Sequence, residues 1–204
     1  MHQRLQPSDF RDLAEYNPNI RKGLVFRSGF RSEKDFYKRI EEHQIQTIID
    51  LRCEYETDSF PHDNRVVENM NYFHLPIAHS GDARRKALYA LADLYLYYVT
   101  GNCPQIKKIF ELLEKHAQEG LVIHCFQGKD RTGFLSVLIH LLAGAPAQPI
   151  EDDYLASGEG LRPGLLSVFY DAIDEYGGIT SYLEQCGVPF PLQKSIKKNI
   201  LKNY

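Results

Sequence analysis

Residues 124–133 read HCFQGKDRTG, which puts Cys125, Lys129, Asp130 and Arg131 within seven positions. A cysteine attacks as its thiolate, and positive surroundings favour that form. An arginine six positions later carries a planar fork suited to two non-bridging oxygens of a phosphoryl group, a task lysine performs poorly. The preceding LVIH, 121–124, reads as a strand, and the stretch from near Asp130 through Ala143 reads as a helix. The loop between them, Phe126, Gln127, Gly128 and Lys129 leading into Asp130 and Arg131, therefore curls ahead of a helix N-terminus. Its backbone N–H groups converge with the positive end of the helix, which makes an anion cradle. Gly128 allows positive φ and Gly133 close helix packing. The Thr132 hydroxyl is expected to hydrogen-bond the Cys125 sulfur and steady it as a leaving group, and His124 to order the loop. Taken alone, a free cysteine is usually a small buried hydrophobe and a Lys-Asp-Arg triplet a solvated helix start. Their joint occurrence between a strand and a helix favours the chemical reading. The nucleotide-binding pattern GxxxxGK[ST] fails, because Asp130 follows Gly128 and Lys129 and the earlier glycine is missing.

The elements that must hold this loop fit one domain, residues 1–204, long enough for a single substantial core. Apolar residues at 43%, charged residues at 25% and a net charge of -3 are those of a globular chain. They argue against a dedicated nucleic-acid binder. The start MHQRLQPSDF lacks signal-peptide features, and the apolar runs fall short of a membrane-spanning length. A cytoplasmic protein is expected, with leaderless export left open. Cys53, Cys103, Cys125 and Cys186 form no CxxC pair or zinc grouping, so four reduced cysteines are expected.

RSEKDFYKRIEEH predicts a helix capped by Ser32, with Phe36, Ile40 and His43 at helical spacing. IQTIIDLR at 45–52 and NYFHLPI at 71–77 predict strands, the first ending near Asp50 and the second stopped near Pro76. The segment between them reads as loop with short regular pieces. Residues 83–98 predict a long helix ended by Gly101. The next helix starts at Pro104, carries Ile106, Ile109, Phe110, Leu113 and Ala117 inward, and stops at Gly120. Everything beyond 143 is nearly all helical in pattern. Strands alternating with helices imply an α/β arrangement, with a mostly parallel sheet and a helical C-terminal region.

The segment 124–133 resembles the HCxxGxxRTG signature of the cysteine-dependent protein tyrosine phosphatase superfamily at every fixed position. Its form HCxxGKDRTG is similar to atypical bacterial tyrosine phosphatases, some of which also act on phosphoserine, phosphothreonine and phosphoinositides. FRSG at 26–29, IIDLR at 48–52, DDYLAS at 152–157 and YLEQCGV near the end resemble further segments of that family, though only the signature is specific. The resemblance implies a phosphatase fold with a central sheet ringed by helices. It places the nucleophile on Cys125 and the phosphate-binding arginine on Arg131. Phosphoryl transfer to Cys125, then hydrolysis of the thiophosphate, would need no metal and no cofactor, because the cradle and Arg131 supply the electrostatic stabilisation. Phosphorylated proteins or phosphoinositides are the implied substrates and inorganic phosphate the product. Inositol phosphates are an alternative, and a phospho-residue binding module with little catalysis a weaker one, since a binder does not need the cysteine.

The general acid is open between two aspartates. The chain has no tryptophan, hence no Trp-Pro-Asp loop, and Asp82 in LPIAHSGD is the nearest substitute. The resemblance favours Asp130, whose competing reading is a helix cap. Asp50 and Arg52 order either the cradle or the water, or form a local ion pair at a sheet edge; Arg27 and Ser28 stand in the same position. Lys129 beside the cradle would attract a second phosphate, or simply face solvent. The helix over 83–99 either covers the pocket or packs on the sheet.

Overall fold

The computed structural model describes residues 10–30, 33–77, 91–158, 161 and 163–204. Ser32, Asp82 and the first half of the helix expected over 83–98 lie outside them. Five strands form one sheet in the order β1-β2-β5-β3-β4: β1 (Arg11–Asp12), β2 (Val25–Gly29), β3 (Thr47–Asp50), β4 (Asn71–His74) and β5 (Leu121–Cys125). Every pairing is parallel except β1 with β2. The parallel strands carry their C-terminal ends to one side, where Gly29 pairs with Cys125 and Asp50 with His124. β2 and β5 are buried at every residue, as strands covered on both faces must be.

Between strands run α1 (Glu33–Glu42), α2 (Glu54–Ser59), α3 (Asn64–Asn69), α4 (Leu91–Gly101) and α5 (Cys103–His116). After β5 come α6 (Asp130–Leu142), α7 (Ala147–Leu155), α8 (Pro163–Glu175), α9 (Ile179–Gln185) and α10 (Phe190–Ile200). The expected α/β architecture with a helical C-terminal region is present. The inward stripe Ile106, Ile109, Phe110, Leu113 and Ala117 is wholly buried. A larger core fills the face under α4, α5, α6 and the C-terminal helices, and a smaller one lies under α1, around Phe26, Phe36 and Ile48. Helix α6 is buried along nearly its whole length, with Arg131 through His140 all inside. A helix apolar all round belongs at the centre of a fold, and this one is fed directly by the loop after β5.

The expectation of four reduced cysteines needs correction. Cys103 at the first turn of α5 and Cys186 at the end of α9 form a disulfide across 83 residues, with Cα atoms 4.4 Å apart. Packing of α9 and α10 under α5 brings the pair together, and no spacing pattern in the sequence announces it. Cys53 and Cys125 are free. Among the described residues, no helix is long and apolar enough to cross a membrane.

Candidate active site

Cys125 is the last residue of β5 and is 2% exposed. The chain turns after it so that the Gly128 amide comes back to donate to its sulfur at 3.3 Å. Two glycines permit that turn. Gly128 has φ +73°, and a Cβ there would lie 2.6 Å from Gly29 N; a Cβ on Gly29 would lie 2.8 Å from the Gln127 carbonyl carbon. The end of β2 and the loop therefore pass backbone against backbone. The Phe30 amide closes the contact, donating to the carbonyls of Cys125 and Phe126 at 2.9 and 3.0 Å.

Arg131, in the first turn of α6, is 4% exposed and does not float in the cradle. Its Nη1 and Nη2 donate to the two carboxylate oxygens of Glu56, at 2.5 and 2.7 Å, and Nη1 also reaches the Leu51 carbonyl at 3.3 Å. Burial works against the Glu56 charge, but the guanidinium outweighs it and holds the carboxyl down at about 2. Glu56 also accepts from the Cys53 amide at 2.9 Å, as the third residue of α2. The sequence reading missed it. The available signal was a capping box at the start of α2, disguised because a cysteine occupies the cap position.

Behind the loop, FRSG and DDYLAS meet. Arg27 donates to the Gly128 carbonyl at 2.7 Å, to Ser157 Oγ at 2.7 Å and to Asp153 at 2.6 Å. Asp153 takes Arg11 on its other oxygen at 2.7 Å, and His140 approaches at 3.3 Å. Burial alone would push the Asp153 carboxyl up; Arg27 foremost holds it far down as an anion. Arg27 thus braces the loop from behind. Ser28 does not reach the site, because its hydroxyl donates to the neighbouring Gly29 carbonyl at 2.8 Å.

Asp50 and Arg52 form a buried pair, with Arg52 Nη2 2.7 Å from Asp50 Oδ2. Since β3 is an interior strand, the pair does not lie at a sheet edge. Arg52 also donates to the Phe60 carbonyl at 2.6 Å and lies over the Phe30 ring, 4.4 Å from its centroid. Beside it a chain of polar contacts runs to the Cys125 backbone. The Asp63 amide donates to Tyr37 OH at 2.9 Å, and Tyr37 OH lies 2.9 Å from His62 Nδ1. His62 Nε2 lies 3.1 Å from His124 Nε2 and 3.4 Å from Asp50 Oδ2, and His124 Nδ1 faces the Cys125 carbonyl at 3.4 Å. Burial keeps His124 neutral by lowering its value to about 3. Asp50, His62 and His124 bring ligand-type atoms within 4.8 Å of one another, but this chain and Arg52 already occupy them. His124 thus contacts the start of the loop through the Cys125 carbonyl.

Asp130 opens α6, and Lys129 rather than Asp130 occupies the cap position. The Asp130 carboxylate accepts a hydrogen bond from Tyr95 OH of α4 at 2.6 Å. This places α4 against the loop. Of the rest, Lys129 is half-buried, its Nζ 3.4 Å from where a Gly158 Cβ would stand. Phe126 is half-buried against Phe60, with centroids 5.1 Å apart, and Gln127 is exposed. The expected bond from Thr132 to the Cys125 sulfur is not formed: Thr132 Oγ1 is buried without a partner among the described residues, and the Gly128 amide serves the sulfur instead. Thr132 follows Arg131 into α6 and is fully buried there.

A solved structure of PTPMT1 superposes with a TM-score of 0.52 at 13% identity, covering 86% of this chain and 99% of that one; at that identity the likeness is one of fold. A tyrosine-protein phosphatase of Nostoc commune is 32% identical over 73 residues, 36% of this chain and 25% of the relative. The triple specificity protein phosphatase PtpB of Mycobacterium tuberculosis is 27% identical over 188 residues, 75% of this chain and 67% of its own. The chain thus spans only a quarter of the length of the first of these relatives. Residues 6–166 match the model of the tyrosine phosphatase family, a stretch that includes the strand, the loop and both arginine braces, and the chain belongs to that family.

Proposed function

We propose that the protein hydrolyses phosphomonoesters through a phosphocysteine intermediate, with phosphotyrosine in proteins as the principal substrate and phosphoserine and phosphothreonine as further ones. One observation carries this reading: the Cys125 sulfur and the preset Arg131 fork belong to one backbone cradle, with the Gly128 amide on the sulfur and Glu56 fixing the arginine. In the first step Cys125 Sγ bonds to phosphorus as the bond to the leaving oxygen breaks, and a protonated Asp130 passes its proton to that oxygen. In the second, Asp130 takes a proton from water as the water oxygen bonds to phosphorus, and the sulfur leaves. Arg131 and the loop amides carry the equatorial oxygens throughout. The single domain expected from the sequence, residues 1–204, would hold the whole machinery.

The name of one relative, a triple specificity protein phosphatase, supports a range wider than phosphotyrosine. Phosphate release from phosphotyrosine, phosphoserine and phosphothreonine peptides and from several phosphoinositides tests the proposal, with Cys125→Ser as control. Release surviving in that variant would sink the cysteine mechanism. A marked preference for inositol headgroups would keep the chemistry and replace the substrate. Tight binding of phosphopeptides without any release would instead favour a binding module.

A further inference from the structure

We infer that Tyr95 and Tyr154 are positioning residues, a two-phenol relay that fixes one oxygen of the Asp130 carboxyl and leaves the other to exchange the proton. The inference rests on the reading of Asp130 as the acid. Tyr95 OH lies 2.6 Å from Asp130 Oδ1 and 2.7 Å from Tyr154 OH. A phenol has one proton, and a carboxylate accepts it more strongly than another phenol does. Tyr95 therefore donates to Asp130, and Tyr154 donates to Tyr95.

Both rings are held by packing. Tyr95, on α4, is fully buried and stacked on Phe169 of α8, with centroids 4.7 Å apart and planes 10° from parallel. Tyr154, on α7, is 1% exposed and lies against Gly133, where a Cβ would come 3.3 Å from its ring. Gly133 is three residues beyond Asp130 on the same helix, so an added methyl group there would press on the ring at this corner. Burial pushes the Tyr95 phenol far up and the Tyr154 phenol up to about 12, so both stay protonated donors. Helix α4, and through it α7, is thereby tied to one carboxylate oxygen at the start of α6.

The arrangement has a chemical use. With Oδ1 held by Tyr95, the carboxyl cannot rotate freely, and its exchangeable proton sits on Oδ2. When that proton passes to the leaving oxygen, the negative charge that appears on Asp130 meets a donor already in place. Hydrogen bonds to charged groups exceed those to neutral ones, so the relay strengthens as the proton leaves. A donor placed where charge develops assists the step itself rather than substrate binding.

The test compares Tyr95→Phe, Tyr154→Phe, the double variant and Asp130→Asn on a series of aryl and alkyl phosphates of rising leaving-group pKa. Tyr95→Phe should lower kcat about tenfold for the poor leaving groups, with KM little changed, as expected for one hydrogen bond to a charged group. The loss should shrink toward activated aryl phosphates, which need no proton. Tyr154→Phe should show the same slope at about threefold, and the double variant should be no worse than Tyr95→Phe, because Tyr154 acts through Tyr95. A merely structural role predicts losses independent of the leaving group and additive in the double variant, and that outcome overturns the relay. If Asp130→Asn itself shows no leaving-group dependence, the acid assignment fails first. If Asp130→Asn shows it and the tyrosine variants do not, the relay fails while the acid stands.

Discussion

The Arg131 guanidinium is gripped at both Nη atoms by Glu56, at 2.5 and 2.7 Å, so the fork proposed to hold the phosphoryl group is oriented by a residue of α2, 75 positions earlier in the chain. Replacing Glu56 by Gln keeps the shape and removes the charge. Losing the charge-assisted half of that grip should cost about 1.5–3 kcal/mol, seen as a fall in kcat/KM of roughly ten- to hundredfold. Stability should respond to acid as well. The folded-state value of Glu56, about 2, lies below the ordinary 4.5. Its contribution is therefore present above 4.5 and lost as pH falls toward 2. Urea unfolding of wild type and Glu56→Gln should differ at pH 6 and converge across that window.

His124 adds a second acid sensitivity of the same direction. Its folded-state value of about 3 lies below the ordinary 6.5, because the buried ring resists charge. The unfolded chain then takes up the proton first. The contribution is complete above pH 6.5 and declines as pH falls from 6.5 to about 3, with a slope from this group of up to about 1.4 kcal/mol per pH unit. Denaturant midpoints measured at half-unit steps over that range should show the decline. A flat profile would mean that His124 is charged in the folded protein.

How much of this was legible in the sequence follows from what each residue contacts. Cys125, Gly128 and Arg131 lie within seven positions, so their relationship is local and the loop could be read directly. Strands β3 and β5 and the buried stripe of α5 were plain from apolar pattern. β1 is only two residues long and β2 is the motif FRSG, so neither offered a periodic run. The braces were invisible for another reason: Glu56 to Arg131 spans 75 positions, and Arg27 to Asp153 spans 126. Each motif could be noted singly, but pairing them required the sheet order. The Cys103–Cys186 bond and the Tyr95 contact with Asp130 depend in the same way on how helices stack, which no spacing encodes.

Gly128→Ala should be among the most damaging single-atom additions in the chain. Gly128 adopts φ +73°, and the new Cβ would meet the Gly29 backbone at 2.6 Å. Neither side is a flexible side chain that can swing away. A destabilisation of about 1–3 kcal/mol and near-complete loss of phosphate release are expected. Gly23→Ala is the comparison: φ is +81° there but nothing lies within 4 Å, so it should show the strain with activity retained.

Thiol counting checks the disulfide. In denaturant without reductant, two of the four cysteines should react with a thiol reagent, and all four after reduction. Reduction should also lower stability by about 2–4 kcal/mol, through the freed 83-residue loop. Four reactive thiols before reduction would contradict the pairing.

Asp153 is shared between Arg27, which holds the Gly128 carbonyl, and Arg11, which belongs to the two-residue strand β1. The amino-terminal end of the described chain is thereby coupled to the loop that holds Cys125. For anyone shortening the protein or fusing a partner to it, residue 11 marks an inner limit. Trimming past it would strip one counter-charge from a buried carboxylate, and the damage would surface more than a hundred residues away.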